Sequence, residues 1–238
     1  MKIMKKEEEL VTGHFAGWAS TYEEDIAKMV EQDWGVKYED FMRLITEHCK
    51  LRPGMDILDA ATGTGLISIS IARMLSGNCK ILGIDITDAM LDKAKAKIKT
   101  ESLDEVISVK KASAENISND DNTYDLVVCS LALHHMDVKR ALREFVRVLK
   151  PGGRIVIADV CAPERWRTLY GKIGVAIYRL LSMRKKESKA EAKTELYTGK
   201  EWRALIAELG GTESQSREFP NKSNEWAPGA MITSWVQK

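Results

Sequence analysis

Residues 57–66 decide the fold, and they read Ile57-Leu58-Asp59-Ala60-Ala61-Thr62-Gly63-Thr64-Gly65-Leu66. The apolar run ends at Asp59, passes through small residues and two glycines, and leads into an apolar-periodic segment, Ile67 to Leu75. That order predicts a buried strand, a tight turn and a helix. Gly63 and Gly65 carry no Cβ, so the backbone of the turn can approach a ligand closely. Because the helix directs unpaired N–H groups at the same place, the stretch predicts a small-molecule site.

Short strands and helices alternate after this turn. The strand candidates are nearly continuous apolar runs, namely Met55–Ala60, Lys80–Asp85, Val106–Ala112, Tyr124–Ser130 and Arg154–Asp159. The helix candidates between them are Leu66–Leu75, Asp88–Lys99 and Val138–Leu149. Apolar strands of this kind are typical of a sheet that is covered on both faces. The regular alternation predicts right-handed crossovers and a parallel sheet.

The C-terminal elements are marked by turn and capping residues. Pro151-Gly152-Gly153 is expected to stop the third of these helices and to start the fifth strand. Thr198-Gly199-Lys200-Glu201 is a capping box, which predicts a helix from Trp202 to Leu209. The segments Thr212–Phe219 and Ala230–Val236 predict two closing strands, paired as an antiparallel hairpin with a long connection.

Helices are also predicted ahead of the sheet. Residues 1–12 are charged and are expected to fray. From Phe15 to Met29, aromatic and apolar residues follow one another at a helical spacing of three or four, and a second helix begins near Tyr38. Two interpretations remain open, a cap that only packs on the domain and a lid over the glycine turn. We divide the chain into an N-terminal helical lid, residues 1–50, and a core, residues 51–238.

Residues 163–197 interrupt the alternation and are predicted to form a basic helical insert. Residues 163–203 contain eleven Lys and Arg but only five Glu. An apolar stripe runs through this segment at helical spacing, and it consists of Tyr170, Ile173, Ile177, Leu180 and Leu181. One interpretation is a helix packed on the domain with a solvated basic face. The other is a surface that contacts an anionic membrane, as a peripheral protein does, or an acidic partner.

Composition limits the class of protein. A chain of 238 residues with 44% hydrophobic and 30% charged residues is expected to be a single globular domain with additions. A formal net charge of +1 gives no general reason to expect a nucleic-acid partner.

Cysteine usage and the N-terminus bear on location. The four cysteines (Cys49, Cys79, Cys129, Cys161) form no C-x-x-C pair, which favours reduced thiols over disulfides or a metal site. Met1 to Leu10 alternates Lys with Glu and lacks an apolar signal region. No apolar run approaches the roughly 18–20 residues that span a bilayer. A cytoplasmic location is therefore expected.

Two ligands compete for a strand, a glycine turn and a helix with an acid further on: a dinucleotide and S-adenosylmethionine. The dinucleotide fingerprint needs a third Gly or Ala for close helix packing, and Ser68 stands there instead. Asp59 would also lie near a pyrophosphate, where like charges are unfavourable. An acid suits a ligand that carries an ammonium and a sulfonium. The residues thus favour the methyl donor.

Four segments carry a family resemblance, in the expected order along the chain. Asp59–Gly65 resembles the acid-x-Gly-x-Gly-x-Gly motif of class I S-adenosylmethionine-dependent methyltransferases. The other three segments resemble later motifs of that family, and they are Ile81–Leu91, Tyr124–Ser130 with Leu133-His134-His135, and Leu149–Arg154. Phe15–Tyr22 is similar to the Phe-x-x-x-Ala-x-x-Tyr opening of the ubiquinone/menaquinone-biosynthesis type and its small-molecule relatives. The resemblance implies an α/β, Rossmann-like, doubly wound fold with a mostly parallel seven-stranded sheet and an antiparallel edge.

The resemblance also implies a set of cofactor-binding residues. Asp59 would lie near the methionine ammonium, with the backbone of Ala61, Gly63 and Gly65 around it. Asp85 would accept hydrogen bonds from the ribose hydroxyls, which suits a carboxylate. The remaining contacts would come from Ile86 and Met90 on the adenine, Ser113 and Ala114 near its amino group, Ser130 at the methionine end and Tyr22 from the lid. S-adenosylhomocysteine would be the product.

Two of these positions depart from the family pattern. Ala61 replaces the first glycine, which is tolerable if its φ is below zero. Ser113 stands where the family often has Asp, and its hydroxyl is a weaker acceptor. Purely structural roles also remain open for three of these residues. Asp59 and Asp85 could cap the next turns, and Met90 could be a core residue.

Methyl transfer depends mainly on alignment of donor and acceptor. A general base is needed only if the acceptor must lose a proton, and the candidates are His134 and His135, with His135 slightly favoured. We expect a methyltransferase that acts on a small apolar or aromatic molecule. The alternatives are an RNA or protein methyltransferase and a non-catalytic S-adenosylmethionine-binding module. A homodimer is compatible with the sequence.

Overall fold

The computed structural model describes the backbone of residues 2–182 and 195–238 and the side chains of residues 9–173, 175–176 and 195–238. The helices of the described part are α1 (Lys2–Trp18), α2 (Tyr22–Gln32), α3 (Tyr38–Cys49), α4 (Leu66–Met74), α5 (Asp88–Thr100), α6 (Val138–Val148), α7 (Leu169–Ser182) and α8 (Gly199–Glu208). The strands are β1 (Met55–Ala60), β2 (Cys79–Asp85), β3 (Ile107–Lys111), β4 (Tyr124–Ser130), β5 (Leu149–Cys161), β6 (Gly211–Phe219) and β7 (Gly229–Gln237).

One seven-stranded sheet organises the molecule, in the order β3-β2-β1-β4-β5-β7-β6. The first five strands in this order are parallel to one another, and β7 is antiparallel to both β5 and β6. The predicted doubly wound sheet with an antiparallel hairpin at its edge is confirmed. The strand order reverses between β1 and β4, and ligands of open α/β sheets bind at the carboxyl ends of strands at such a point.

Helices cover both faces of the sheet, as the apolar strands predicted. One face packs against α2 to α5, and Phe41 and Ile45 of α3 are completely buried there. The other face packs against α6 and α8, where Phe145 and Trp202 are among the largest buried side chains. Because α3 is part of this core, the N-terminal segment contributes to the sheet's covering layer as well as to the region above the turn.

The N-terminal prediction needs two corrections. The helix α1 extends back to Lys2, where fraying was expected, and the segment from Phe15 to Met29 is broken between Trp18 and Tyr22. Ala19 is buried at this break, and Thr21 donates its backbone N–H to the Trp18 carbonyl. The aromatic spacing stays in phase across the break, so periodicity alone could not reveal it.

The Pro151-Gly152-Gly153 turn also differs from its prediction, because it lies inside β5. Tyr124 pairs with Leu149 and Leu126 pairs with Arg154, so β5 has extra residues opposite a short stretch of β4. Gly152 has a φ of 77°, which the bulge requires. The predicted capping box of α8 is confirmed, because Thr198 Oγ1 accepts from Glu201 N and Glu201 Oε2 accepts from Thr198 N.

The predicted insert is described in part. Its first half forms α7, but residues 183–194 lie outside the described backbone, and so do the side chains of Ile177, Leu180 and Leu181. Tyr170 and Ile173 are exposed. Among the helices that the structure describes, none has the length and hydropathy that crossing a membrane would require.

The turn after β1 contains a strained residue. Ala61 has a φ of 57°, so the condition under which an alanine was expected to be tolerated there is not met. A side chain in this left-handed region costs roughly 1–2 kcal/mol, because Cβ approaches the following carbonyl oxygen. The turn keeps this conformation because Thr62 N donates to the Ile84 carbonyl oxygen at 2.9 Å.

Replacing Ala61 by glycine is therefore expected to stabilise the protein. The Ala61→Gly variant should gain about 0.5–1 kcal/mol in the free energy of unfolding, since relief of the strain exceeds the added entropy of the unfolded chain. Urea denaturation measures this change. Ala60→Gly is the matched control, because Ala60 is a buried strand residue and should lose stability. An Ala61→Gly variant that is less stable than the wild type would contradict the strain.

Candidate functional site

The glycine turn is held against the carboxyl end of β2. Besides the hydrogen bond from Thr62 to Ile84, the Thr62 side chain packs on Gly83, where an added Cβ would lie 2.9 Å from the Thr62 hydroxyl. Gly83 is thus the residue that lets the turn approach β2. Gly65 lies on the other side, and a Cβ there would lie 3.2 Å from that of Ala94. Both glycines set the position of the turn by close packing.

Asp59 is a buried carboxylate at the end of β1. Its Oδ2 accepts hydrogen bonds from the Thr62 hydroxyl at 2.7 Å and from the Ser68 hydroxyl at 2.6 Å. Burial raises the pKa of Asp59 to about 6, and the two hydroxyls oppose this rise. The carboxylate both caps the turn and lines the cavity above it. The capping and ligand-binding interpretations are therefore compatible.

Asp85 lies on the other side of the turn, at the end of β2. Its Oδ2 accepts from the Gly63 backbone N–H at 3.0 Å, and its Oδ1 accepts from the Thr87 N–H at 2.8 Å. Burial raises the pKa of Asp85, and the hydrogen bonds from Thr87 and Gly63 oppose this rise. A Cβ added to Gly63 would meet no atom within 4 Å, so the space beside this residue is open. The two carboxylates thus flank an open stretch of backbone.

A cavity lies between this turn, the end of β4 and the N-terminal helices. Five of the predicted cofactor-binding residues line it, and they are Tyr22, Asp59, Ala61, Gly63 and Ser130. Nine further lining residues were not predicted for the site, and they include Tyr38, Met42 and Leu131. Leu131 has a φ of 53° and donates its N–H to the Ala158 carbonyl at 2.7 Å. Two non-glycine residues with left-handed backbones, Ala61 and Leu131, therefore face one cavity, as is common at functional sites.

The other predicted cofactor-binding residues lie outside this lining. Met90 is 2% exposed within α5, as its core interpretation predicted, and Ile86 is half-buried. The Ser113 hydroxyl accepts from the Glu115 N–H at 3.2 Å, and Ala114 is buried in the core. These residues lie on the chain after β2 and β3, next to Asp85 rather than next to Asp59.

Aromatic residues of α2 and α3 line the cavity, and Trp18 of α1 packs against one of them, Tyr22. The ring of Tyr22 contacts that of Trp18 edge to face, with centroids 5.1 Å apart, and Trp18 Nε1 donates to Asp25 at 2.7 Å. Burial raises the pKa of Tyr22, and burial with nearby glutamates raises the pKa of Tyr38 to about 12. Both phenols are neutral at physiological pH, and each presents an apolar ring with one hydroxyl.

His134 is held by a buried carboxylate. Its Nδ1 lies 2.5 Å from Asp159 Oδ1, and its backbone N–H donates to Asp159 Oδ2 at 2.9 Å. A carboxylate only accepts hydrogen bonds, so Nδ1 carries the proton and Nε2 of the neutral ring is an acceptor. Asp159, at the end of β5, was not predicted as a site residue. The sequence feature that could have identified Asp159 is an acidic residue within an otherwise apolar strand.

His135 has a different environment, although it is the next residue. Its ring contacts Phe15 edge to face, with centroids 5.1 Å apart, and lies 3.9 Å from the ring of His134. Burial, followed by the nearby His134 and His14, lowers the pKa of His135 to about 2. The structure thus distinguishes two histidines that the sequence ranked with His135 first, because only His134 is hydrogen-bonded to a carboxylate.

The cysteines are buried and unpaired. Burial raises the pKa of Cys129 well above its usual range and that of Cys161 to about 12, so both are thiols. Among the described side chains, no group of His, Cys, Asp and Glu is arranged to hold a metal ion.

Comparison with known proteins is consistent with this geometry. Residues 57–153 match the family described as "Methyltransferase domain". The ubiquinone/menaquinone biosynthesis C-methyltransferase UbiE of Shewanella baltica (strain OS155) is 31% identical over 160 residues, which cover 67% of this chain and 62% of that enzyme. The match thus spans less than two thirds of the relative's length.

Solved structures share the fold at low sequence identity. Geranyl diphosphate C-methyltransferase from Streptomyces coelicolor A3(2), in complex with Mg²⁺, geranyl diphosphate and S-adenosyl-L-homocysteine, has a TM-score of 0.68 at 11% identity, covering 84% of this chain and 79% of that one. The [4+2]-cyclase SpnF has a TM-score of 0.66 at 18% identity, covering 84% and 81%. The matched domain and the sequence relatives together support a class I S-adenosylmethionine-dependent methyltransferase of the UbiE-like branch.

Proposed function

We propose that this chain transfers a methyl group from S-adenosylmethionine to a small apolar or aromatic molecule. The observation that carries this proposal is the convergence of Asp59 and Asp85 on the open turn at Gly63. Two carboxylates at this turn, with no basic side chain among the described residues that line the cavity, suit a cationic ligand and oppose a pyrophosphate. The UbiE relatives are C-methyltransferases of quinone biosynthesis, and this supports the small-molecule class.

The residues present fit the methyl donor. Asp59 uses Oδ2 for both hydroxyl contacts, which leaves Oδ1 for an ammonium. Asp85 accepts one N–H on each oxygen, so each oxygen retains a lone pair for a ribose hydroxyl. S-adenosylmethionine supplies an electrophilic methyl group when it is bound. The chain's own task is to align that group with an acceptor and to exclude water.

His134 and Asp159 form the group that we propose to remove a proton from the acceptor. The Asp159 carboxylate fixes the imidazole tautomer and would stabilise the imidazolium that forms on Nε2, as the acid does in a catalytic triad. Tyr22 is close enough for Asp159 to raise its pKa further, so this pair lies near the aromatic cover of the cavity. An acceptor between these groups would have an apolar ring environment and one proton acceptor.

Calorimetric titration with S-adenosylhomocysteine tests the cofactor assignment. We expect binding by the wild type and an affinity about tenfold weaker for Asp85→Asn, which retains one acceptor oxygen but loses the charge. Methyl transfer from labelled S-adenosylmethionine to a panel of phenols, quinols and thiols tests the activity. NAD binding without S-adenosylhomocysteine binding would overturn the proposal. Binding of S-adenosylhomocysteine without transfer to any extracted metabolite would indicate a different reaction, such as that of the cyclase that shares the fold.

The affinity for S-adenosylhomocysteine should depend on the ionisation of Asp59. Its pKa of about 6 means that protons compete with the ligand ammonium below that pH. We expect the affinity to fall about tenfold between about pH 7 and about pH 5, because the carboxylate is neutralised in the free protein. Calorimetry at several pH values measures this. Asp59→Asn should remove the dependence, whereas Asp56→Asn, at the opposite end of the same strand, should retain it. A flat profile for the wild type would contradict the role of Asp59.

Substitutions of the two histidines should have different effects on kcat. His134→Gln should lower kcat about 10²–10³-fold for an acceptor that loses a proton, while affinity for S-adenosylhomocysteine stays unchanged. Asp159→Asn should lower kcat by a similar factor, because the amide favours the tautomer in which Nε2 of His134 carries the proton and cannot accept one. His135→Gln should change kcat by less than about fivefold, since its lowered pKa makes it a poor base. The control is His48→Gln, whose ring contacts Ser234. Equal loss in the His134 and His135 variants would contradict this assignment.

A further inference from the structure

Two tyrosines line the cavity from the side of the N-terminal helices. Tyr22 is the first residue of α2 and Tyr38 the first residue of α3, and both belong to the cavity wall. Tyr38 donates its backbone N–H to Glu31, but within the described part of the chain neither phenol oxygen forms a hydrogen bond. Two polar groups without a protein partner are therefore available to a ligand.

The two phenols lie near one another and keep their protons. Burial raises the pKa of Tyr22 most, and the next cause is Tyr38, ahead of Asp85 and Asp159. Burial is also the main reason that the pKa of Tyr38 rises to about 12. Phenols with a raised pKa stay neutral, so each hydroxyl remains a hydrogen-bond donor throughout the physiological pH range.

The rest of the cavity wall offers few other donors. Six large apolar side chains belong to it, and they are Ile26, Phe41, Met42, Leu66, Ile67 and Leu131. The Thr62 hydroxyl already donates to Asp59 at 2.7 Å. Thr64 and Ser130 add two alcohols, which are weaker donors than phenols because they are less acidic.

The methyl donor requires both an acceptor and a donor in this cavity. S-adenosylmethionine ends in an α-amino acid, which carries an ammonium and a carboxylate on the same carbon. If Asp59 binds the ammonium, the carboxylate must lie in the same cavity. An anion that is removed from water is costly unless it accepts hydrogen bonds. The strongest unpartnered donors of the wall are the two phenols.

We propose that the hydroxyls of Tyr22 and Tyr38 bind the α-carboxylate of the methyl donor, so that two neutral groups recognise this anion. The inference rests on the proposed function and adds to it the recognition of the amino-acid end of the ligand. Tyr38 becomes a specificity-determining residue that none of the sequence motifs indicated. It selects ligands with the carboxylate over analogues that lack it, as sites built from hydrogen bonds do.

Neutral donors suit this position because of the charge beside them. A Lys or Arg in the same wall would pair with Asp59 and compete with the ammonium of the ligand. A phenol cannot neutralise Asp59, so the carboxylate of Asp59 stays available. The apolar side chains of the wall exclude water, and a hydrogen bond to a charged group is stronger in such surroundings.

Calorimetric titration with two ligands tests this inference. S-adenosylhomocysteine carries the carboxylate, whereas decarboxylated S-adenosylhomocysteine keeps the adenosine, the thioether and the amine. The wild type should bind the decarboxylated ligand at least about tenfold more weakly. Tyr38→Phe should weaken the binding of S-adenosylhomocysteine about tenfold and change that of the decarboxylated ligand by less than about twofold. A Tyr22→Phe, Tyr38→Phe double variant should bind both ligands with similar affinity.

Two control variants separate this role from others. Asp59→Asn should weaken both ligands by the same factor, because both carry the ammonium. Tyr124→Phe should leave both affinities unchanged, since Tyr124 is a buried tyrosine at the start of β4, and the cavity lies at the end of that strand. Thermal unfolding checks that each variant is folded.

Three results would overturn the inference. Equal affinity of the wild type for the two ligands shows that the carboxylate is not recognised. An equal loss for both ligands in Tyr38→Phe shows that the hydroxyl supports packing instead. Both results leave the methyl-donor site in place. A wild type that binds neither ligand removes the proposed function, and this inference with it.

Discussion

The hydrogen bond between the Gly63 amide and the Asp85 carboxylate is the contact on which the site depends. It joins the turn after β1 to the end of β2, where Thr62 also donates its N–H to the Ile84 carbonyl oxygen. The same carboxylate holds the Thr87 amide at the start of α5. One side chain therefore fixes a turn and a helix start, and it brings a negative charge beside open backbone. Loss of this contact would leave Thr62 bonded to Ile84 but would remove the partner of the Gly63 amide.

Asp59 and Asp85 are both buried, but they differ in the hydrogen bonds that compensate the burial of their carboxylates. Asp85 receives backbone N–H groups on both oxygens, whereas Asp59 is buried completely and receives hydroxyl groups on one. Burial raises the pKa of both, because it disfavours the charged form. A cationic ligand would lower the pKa of Asp59 again. Ala61 lies between them in the chain and has a strained backbone. Such strain is common at functional sites, where the surrounding structure enforces it.

The sequence predicted those parts of the molecule that depend on local pattern. The apolar runs and the alternation of strands with helices predicted the parallel strands, and the capping residues Thr198 and Glu201 predicted the start of α8. It could not predict features that depend on pairing between distant segments. The bulge at Pro151-Gly152-Gly153 arises from the register between β4 and β5, and the φ of Ala61 arises from the contact between Thr62 and β2. The break at Ala19 was hidden because the aromatic spacing continues across it.

The two adjacent histidines show why motif position does not fix a chemical role. His134 and His135 follow the same strand, and the sequence gives no physical reason to separate them. Tertiary contacts do so, because β5 places Asp159 at His134 while α1 places Phe15 at His135. A carboxylate keeps an imidazole in one tautomer, whereas burial and the neighbouring His134 and His14 oppose protonation of His135. The protein therefore presents one polar and one apolar histidine a few residues after Ser130 and Leu131, which line the cavity. An acceptor with a hydroxyl and an apolar ring would match that pair.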